Sequence, residues 1–327
     1  MSERRNMSPE SEKKNYELPP QGSSNDSQGV SGKKGTSAID VSNPREHARM
    51  LIEAGQKKIA EAELDTIDMG EFSKMLPPAE IQKDALYVRD RKEDFKKSNE
   101  RDPVALKEAK LLAQIFEGLL TEQIELNEWF GDAVTAKTSD YDDYYNGIDT
   151  VLTYRASKDG LENAQNFGLS IDFTISNNLD VTAEKIRKIL SKARTGKLGT
   201  VKYFRTADRE DYTINKQVPQ VVITLSKETV LNLVESWVHG KQSELAKHPA
   251  QILLLEQMRS QLVLQASDSK IPFKIKREIV RCLPKISEIL EKKKREIDSK
   301  RKSEFWNDKL HLRIMELVKD ISERGGK

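Results

Sequence analysis

The sequence predicts an α/β fold in which a small central sheet is flanked by helical segments on both sides in the chain. Three observations lead to this prediction. Long stretches with apolar residues at a 3.6-residue period lie before and after the centre, as amphipathic helices require. Short β-branched runs occur only in the centre, and a helical stretch separates two of them. Because parallel strands need a crossover connection, this order predicts a parallel pair with a right-handed crossover.

The composition is that of a soluble, helix-rich protein. The chain has 327 residues, of which 33% are charged and 36% are hydrophobic, and its formal net charge is +2. It has no run of about 18 apolar residues and no apolar segment near its start, so we expect neither a membrane span nor a secretory signal. A single cysteine, Cys282, excludes an internal disulfide, and four scattered histidines argue against a zinc site. We expect a cytoplasmic protein.

The first part of the chain predicts a tail followed by helices. Residues 1–42 are rich in Ser, Gly, Asn, Lys and Glu and have few large apolar side chains, so they predict a disordered tail. Pro44 suits the first position of a helix, which we expect to run to about residue 64. A strongly charged helix is predicted over residues 78–97. Residues 43–102 are therefore expected to form a helical linker region.

The central region, residues 103–245, alternates between helix and strand. Asp102-Pro103 is a favourable N-cap and first-turn pair for its opening helix. The order is α-β-β-β-α-β, followed by a strand and a helix, so the strands on either side of the second helix should pair in parallel. The predicted elements are the helix 103–130, the strands 133–136, 148–154 and 168–175, the helix 182–194, the strands 200–205 and 220–225, and the helix 226–239.

The last part of the chain, residues 246–327, has only helical patterns. Ile279, Leu283, Ile286 and Leu290 recur at near-heptad spacing in its middle helix. This spacing predicts a helical hairpin or a short coiled coil, through which two copies of the chain could form a homodimer. The predicted helices are 249–266, 272–303 and 306–322.

Two aspartates stand at or inside the apolar central strands. Asp149 leads into the strand 148–154, and Asp172 lies within the strand 168–175. Aspartate is a poor strand former and an unpaired buried carboxylate is costly, so we expect a cation close to both. Two carboxylates on neighbouring strands suit Mg²⁺ or Mn²⁺. Such an ion lowers the pKa of a bound water and neutralises charge on a phosphodiester.

The charges of the central region are segregated along the chain. Residues 117–149 contain nine acidic residues and one lysine, whereas residues 184–205 contain eight basic residues and one acid. An acidic pocket beside a basic flank suits a metal ion and a phosphate backbone, respectively. A third tract, residues 270–303, is also basic. We interpret Asp142 and Asp143, with their neighbouring tyrosines, as turn-forming residues, with a second metal ion as the alternative.

Together these features resemble the PD-(D/E)XK, or restriction-endonuclease-like, nuclease superfamily. The resemblance covers about residues 104–225 and includes a glutamate-bearing helix, a Gly147-Ile148-Asp149 sequence entering a strand, an acidic residue in the next strand, and a crossover helix. It implies a restriction-endonuclease-like core of α-β-β-β-α-β order, with N- and C-terminal helical extensions.

The resemblance assigns roles residue by residue. Asp149 matches the first metal-binding aspartate of the family, and Asp172 matches the second acidic residue. The backbone carbonyl of Phe173 matches the usual third protein ligand. The glutamate that the family carries on its helix is matched best by Glu117. Glu122 and Glu125 are alternative candidates.

One position departs from the family pattern. Thr174 stands where the family has a lysine that orients the attacking water and stabilises charge in the transition state. A threonine can hydrogen-bond a water but has no positive charge. Lys185 or Lys188 on the following helix, or Lys202 on the next strand, could take over the role of the missing lysine.

The sequence-based hypothesis is a Mg²⁺-dependent nuclease whose catalytic domain spans residues 103–245, with residues 246–327 as a helical extension. Its expected substrate is nucleic acid, DNA ahead of RNA. The alternative is a catalytically inactive module of the same fold that binds nucleic acid or protein. A purely structural coiled-coil protein is the weakest interpretation, because it leaves the β-rich centre unexplained.

Overall fold

The computed structural model describes residues 43–62, 65–154, 167–174, 179–206, 209, 211–297 and 308–325. The predicted tail, residues 1–42, lies outside this part of the chain. The helices are α1 (Pro44–Glu61), α2 (Pro78–Arg101), α3 (Val104–Leu126), α4 (Leu179–Arg194), α5 (Lys227–Val238), α6 (Gln242–Ala246), α7 (Ala250–Ser267), α8 (Phe273–Glu296) and α9 (Lys309–Gly325). The strands are β1 (Val134–Lys137), β2 (Thr150–Tyr154), β3 (Phe167–Thr174), β4 (Gly199–Arg205), β5 (Tyr212–Val218) and β6 (Gln220–Thr224). None of the described helices is both long and apolar enough to cross a membrane.

The main sheet is mixed and has four strands in the order β1-β2-β3-β6. Strands β1, β2 and β3 pair antiparallel, and β3 pairs parallel with β6. Helix α4 lies in the connection between the two parallel strands, which need such a crossover. The predicted α/β class is therefore confirmed. Along the chain, α3 is followed by β1, β2, β3 and α4, and two further strands, β4 and β5, precede β6.

The parallel partner of β3 is a different strand from the one that the sequence predicts. The predicted strand 200–205 becomes β4, which pairs antiparallel with β5 in a separate two-stranded sheet. Strand β6, which follows this hairpin, lies beside β3 instead. Its five residues are all buried, as expected for a strand in a parallel pair. Strand β5 was missed because its side chains are mostly polar and Asn215 has a φ of 57°.

Helix ends differ from the sequence prediction by a few residues. Helix α3 ends at Leu126 because Glu128 and Gly131 have φ values of 48° and 70°, which a right-handed helix does not allow. The indole of Trp129 then donates a hydrogen bond to the carbonyl of Leu245 at 3.0 Å. Helix α8 ends at Glu296, and residues 298–307 lie outside the described part of the chain.

One hydrophobic core collects side chains from both ends of the described chain. Leu51 of α1, Phe116 of α3, Ile223 of β6, Ile279 of α8 and Ile314 of α9 all belong to it. The apolar stripe predicted for α8 faces this core, and α8 packs against α7 as in the hairpin that the sequence offers as one alternative. One core is therefore shared by three predicted regions: the linker region, the central region and the C-terminal extension. How the chain divides into domains stays a prediction.

The outer edge of β6 is covered by glutamine side chains of α7. The amide of Gln261 accepts from the backbone N–H of Val222 at 3.0 Å and donates to its carbonyl at 2.6 Å. Gln257 makes the same pair of bonds with Thr224, at 3.0 and 2.8 Å. Gln265 donates to the carbonyl of the first residue of β6. The glutamines are four residues apart along α7, a rise of about 6 Å, and their partners are two residues apart along β6, about 6.6 Å. Because these two distances are nearly equal, successive glutamines reach successive outward-facing residues of the strand.

The first prediction concerns this ladder. Replacing Gln261 by methionine keeps the volume but removes both hydrogen bonds to Val222, which leaves a buried N–H and a buried C=O without partners. We expect Gln261→Met to lower the free energy of unfolding by about 2–4 kcal/mol. Urea denaturation followed by circular dichroism measures this change.

The matched control is Gln82→Met, at an exposed position of α2. It should change the free energy of unfolding by less than about 0.5 kcal/mol. Equal, small effects of the two substitutions would show that the ladder does not stabilise the edge of the sheet.

Candidate functional site

The start of β2 lies beside the middle of β3, which brings the two predicted aspartates to one place in the sheet. Thr150 pairs with Ile171 in the antiparallel register, and the backbone N–H of Asp149 donates to the Ile171 carbonyl at 3.2 Å. Asp172 is the next residue of β3. The carbonyl of Asp149 accepts from the backbone N–H of Thr138, which follows β1, at 3.0 Å. The backbone of Asp149 is thus held on one side by β3 and on the other by the residue that follows β1.

The carboxyl group of Asp172 is held by the crossover helix. Asp172 is only 9% exposed, and Nζ of Lys185 donates to its Oδ1 at 2.7 Å. Burial raises the pKa of Asp172, and the charges of Lys185 and Lys188 oppose that increase. Helix α4 therefore provides this carboxylate with one direct ammonium partner and with a second positive charge nearby.

A second ion pair joins α3 to β1 on the same side. Nζ of Lys137 lies 3.0 Å from Oε1 of Glu117, and both side chains are mostly shielded from solvent. Burial alone would lower the pKa of Lys137, but the negative charges of Glu117, Asp143 and Asp149 raise it. Lys137 therefore stays protonated at neutral pH, between carboxylates of three different elements.

Asp143 belongs to a π-helical turn (Asp142–Asn146) and completes the cluster. Burial is the main cause that raises its pKa, to about 6, and the charge of Glu117 contributes. Lys137 opposes this increase, whereas Asp140 and Asp172 add to it. The turn, α3 and β3 thus bring their carboxylates within electrostatic reach of one another.

The cluster has more negative than positive charge. Four carboxylates, those of Glu117, Asp143, Asp149 and Asp172, are accompanied by two lysines in direct ion pairs. In the part of the chain that the structure describes, no three carboxylate, histidine or cysteine side chains form a group that could hold a metal ion. Mg²⁺, however, commonly uses one or two carboxylates and several waters. An all-oxygen donor set with surplus negative charge fits such an ion.

The rival glutamates of α3 are engaged elsewhere. Glu122 accepts a hydrogen bond from the side-chain amide of Gln242 at 3.3 Å, and Glu125 accepts one from the hydroxyl of Thr135. Glu117 is the candidate of the three whose carboxylate pairs with a lysine of the cluster.

The rival lysine of β4 also has other partners. Nζ of Lys202 lies 2.5 Å from Asp84 and 2.8 Å from Glu80, so it joins β4 to α2. Of the predicted lysines, Lys185 makes the direct contact with Asp172, and Lys188 acts on that residue through its charge.

Phe173 and Thr174 continue β3 beyond Asp172. Their backbones pair with Ile223 and Thr224 of β6. The side chains of Phe173 and Thr174 lie outside the described part of the structure, so the predicted role of the Thr174 hydroxyl stays a prediction.

Asp142 shapes the turn, in agreement with its interpretation from the sequence as a turn-forming residue. Its carboxylate accepts from the backbone N–H groups of Lys202 at 2.6 Å and Tyr203 at 3.0 Å. It also accepts from the Ser139 hydroxyl at 2.9 Å and from the Asn146 amide at 2.7 Å. With four donors on two oxygens, Asp142 anchors the turn to β4 and so positions its neighbour Asp143.

Sequence reasoning missed Lys137 as a site residue and interpreted Asp143 as a turn residue, with a second metal ion as the alternative. A signal for Lys137 was present, since it is the only lysine among the nine acidic residues of the segment 117–149. For Asp143 no motif or spacing gives a comparable signal. No family model, curated protein or solved structure matches this chain. The roles of these residues therefore rest on their geometry and charge.

The second prediction uses the pKa of Asp143. Its folded-state pKa of about 6 lies above the ordinary value of 3.8, so the folded state binds the proton more tightly than the unfolded state. The stability gained from the protonated carboxyl is complete below about pH 4 and is lost as the pH rises through about 6. Asn resembles the protonated form. Asp143→Asn should therefore be more stable than the wild type by about 1–3 kcal/mol at about pH 8, and nearly equal to it at about pH 4.5.

Urea denaturation in EDTA at both pH values measures the difference. Asp94→Asn, at an exposed position of α2, serves as the control and should show no pH-dependent gain. A variant that is less stable than the wild type at the higher pH would contradict the charge balance described above.

Proposed function

We propose that this chain hydrolyses phosphodiester bonds of nucleic acid with a divalent cation, Mg²⁺ or Mn²⁺, on a restriction-endonuclease-like core. The observation that carries the proposal is the cluster of three carboxylates from α3, from the residue before β2 and from β3, namely Glu117, Asp149 and Asp172. The antiparallel strands β1 to β3, the crossover helix α4 and the parallel β3–β6 pair support it, because the resemblance implies these elements; the hairpin β4–β5 is inserted before the last of them.

The proposed metal ligands are the carboxylates of Asp149 and Asp172 and the backbone carbonyl of Phe173. A bound divalent cation supplies a water of lowered pKa and neutralises charge on the phosphate. Glu117 completes the acidic cluster and, through its ion pair, holds Lys137 in position. Because Mg²⁺ keeps several of its waters, two carboxylates and one carbonyl are a sufficient protein contribution.

Two lysines take over the role of the missing family lysine in this proposal. The ammonium of Lys185 lies 2.7 Å from Asp172, and that of Lys137 lies among carboxylates of three elements. A positive charge held at a buried site stabilises the negative charge that develops on a phosphate in the transition state. The hydroxyl of Thr174 is proposed to hydrogen-bond the attacking water.

The proposed substrate is DNA ahead of RNA, bound through its phosphates. Helix α4 supplies both the lysine that contacts Asp172 and further basic side chains that are partly or fully exposed, Arg187, Lys188, Lys192 and Arg194. Phosphate contacts of this kind position a strand without reading its sequence.

A second candidate function is a binding module that does not cleave. One observation favours it, since Lys185 and Lys137 already neutralise Asp172 and Glu117. Titration calorimetry with Mn²⁺ separates the two functions. Saturable binding that Asp172→Asn abolishes supports the metal-dependent enzyme, whereas the absence of binding supports the module.

The third prediction is the direct test. Purified protein should cleave plasmid or single-stranded DNA in Mg²⁺ or Mn²⁺ and not in EDTA, with RNA tested in parallel. Asp149→Asn and Asp172→Asn should each lower the rate at least about a hundredfold, because each removes one metal-binding carboxylate. Asp94→Asn, the exposed control, should retain the wild-type rate. Cleavage that survives both site substitutions would assign the activity to a contaminant and contradict the proposal.

The fourth prediction separates the lysines from substrate binding. Lys137→Met and Lys185→Met should each lower kcat by about ten- to a thousandfold with a small change in KM, since their charges act on the transition state. Steady-state initial rates over a range of DNA concentrations give both parameters. Lys83→Met, at an exposed position of α2, is the control. An effect confined to KM would show that these lysines only bind the strand.

A further inference from the structure

A pocket outside the carboxylate cluster lies between α4, α9 and the segment before α8. It has a volume of about 460 Å³, which lies in the range of small-ligand sites. Its apolar side consists of Leu190, Leu317 and Ile321. Aliphatic side chains of this kind can lie against the flat face of a nucleobase.

The polar side of the pocket has two basic side chains and one acidic side chain that form no ion pair with another described residue. Arg194 is already paired with Asp268 at 2.7 Å, so its charge is compensated. Arg187 and Lys270 also line the pocket, and neither side chain has an ion-pair partner among the described residues. Asp320 is the acidic residue of the lining, and it too has no ion-pair partner in the described part of the chain.

Helix α4 links this pocket to the carboxylate cluster. Successive residues of a helix are rotated by about 100°, so the positions 185 and 188 share one face while 187, 190, 191 and 194 share another. The first face provides the partners of Asp172, and the second lines the pocket. A strand that passes across α4 would meet both groups of basic side chains.

We propose that this pocket binds one nucleotide unit of the substrate strand, away from the bond that is cleaved. Its phosphate lies between Arg187 and Lys270, and its base lies against the apolar side near Leu190 and Ile321. Asp320 is placed to accept a hydrogen bond from the base or the sugar. This inference rests on the proposed function for the identity of the strand, and it adds a site to it.

The fifth prediction tests the pocket by binding alone. The full chain is titrated with a fluorescent single-stranded DNA of about 12 nucleotides in EDTA, over a series of salt concentrations. The double variant Arg187→Ala/Lys270→Ala should bind about tenfold more weakly. Its logarithmic salt slope should become less negative by about 0.7 for each lost phosphate contact. The control Lys83→Ala/Lys247→Ala removes the same charge at exposed positions and should change both quantities much less.

A substitution of opposite sign guards against effects of misfolding. Asp320→Asn keeps an oxygen that can accept the proposed hydrogen bond but removes the negative charge. It should therefore tighten binding by about two- to fivefold, a gain that a damaged fold cannot produce. Binding of the Arg187→Ala/Lys270→Ala variant at the level of the control would overturn the proposal. Inorganic phosphate that competes as well as a 5′-mononucleotide would also overturn it, because the pocket would then be a site for small anions.

The result is independent of the test of cleavage. In EDTA no metal-dependent turnover occurs, so a chain that binds through the pocket but never cleaves would contradict the proposed function and leave this inference standing. The opposite result is cleavage that depends on Asp149 and Asp172 with DNA binding that is unchanged in Arg187→Ala/Lys270→Ala. It would support the proposed function and contradict this inference.

Discussion

The side-chain amides of α7 hold the edge of the sheet on which the candidate site is built. Gln257, Gln261 and Gln265 satisfy the outward backbone groups of β6, which would otherwise be buried without partners. Strand β6 in turn pairs with β3, which carries Asp172. An uncovered edge would also invite pairing with another chain. The C-terminal helices are therefore part of the framework of the site, because they complete the hydrogen bonding of the strand next to it.

The site itself is constrained by its charges. Burial raises the pKa values of Asp143 and Asp172, although lysines lie close to both. Several carboxylates therefore lie close together at a buried place, which is unfavourable. Lys137 and Lys185 compensate only part of their negative charge. Groups with perturbed pKa values cluster at functional sites, and structural ion-pair networks perturb pKa values as well. A divalent cation would compensate the remaining charge, which is why the oxygen donors and the lysines are interpreted together.

Local pattern was enough to predict much of the fold and part of the site. Helix periodicity and apolar runs identified α3, α4, the strand that follows Asp149 and the strand that contains Asp172, because these signals depend on neighbouring residues. The pairing of β6 with β3 could not be obtained in this way, since an inserted hairpin separates β6 from α4 and only tertiary packing decides between β4 and β6. For Lys137 the sequence offers a signal, a single lysine among nine acidic residues, but it does not show which carboxylates the lysine meets. Its interactions with Glu117 and Asp149 come from tertiary packing.

Helix α4 connects the separate parts of this arrangement. It is the crossover between the two parallel strands, so its orientation is fixed by the sheet. One of its faces supplies Lys185 to Asp172, and another supplies Arg187 to the pocket beside α9. Since both faces belong to one rigid element, a nucleotide bound in the pocket as proposed would have a fixed distance from the carboxylates. Such positioning would lower the entropic part of the barrier of the proposed reaction, because the reacting groups would already be oriented when the strand binds. The basic residues of α4 would then contribute to the placement of the strand as well as to its affinity.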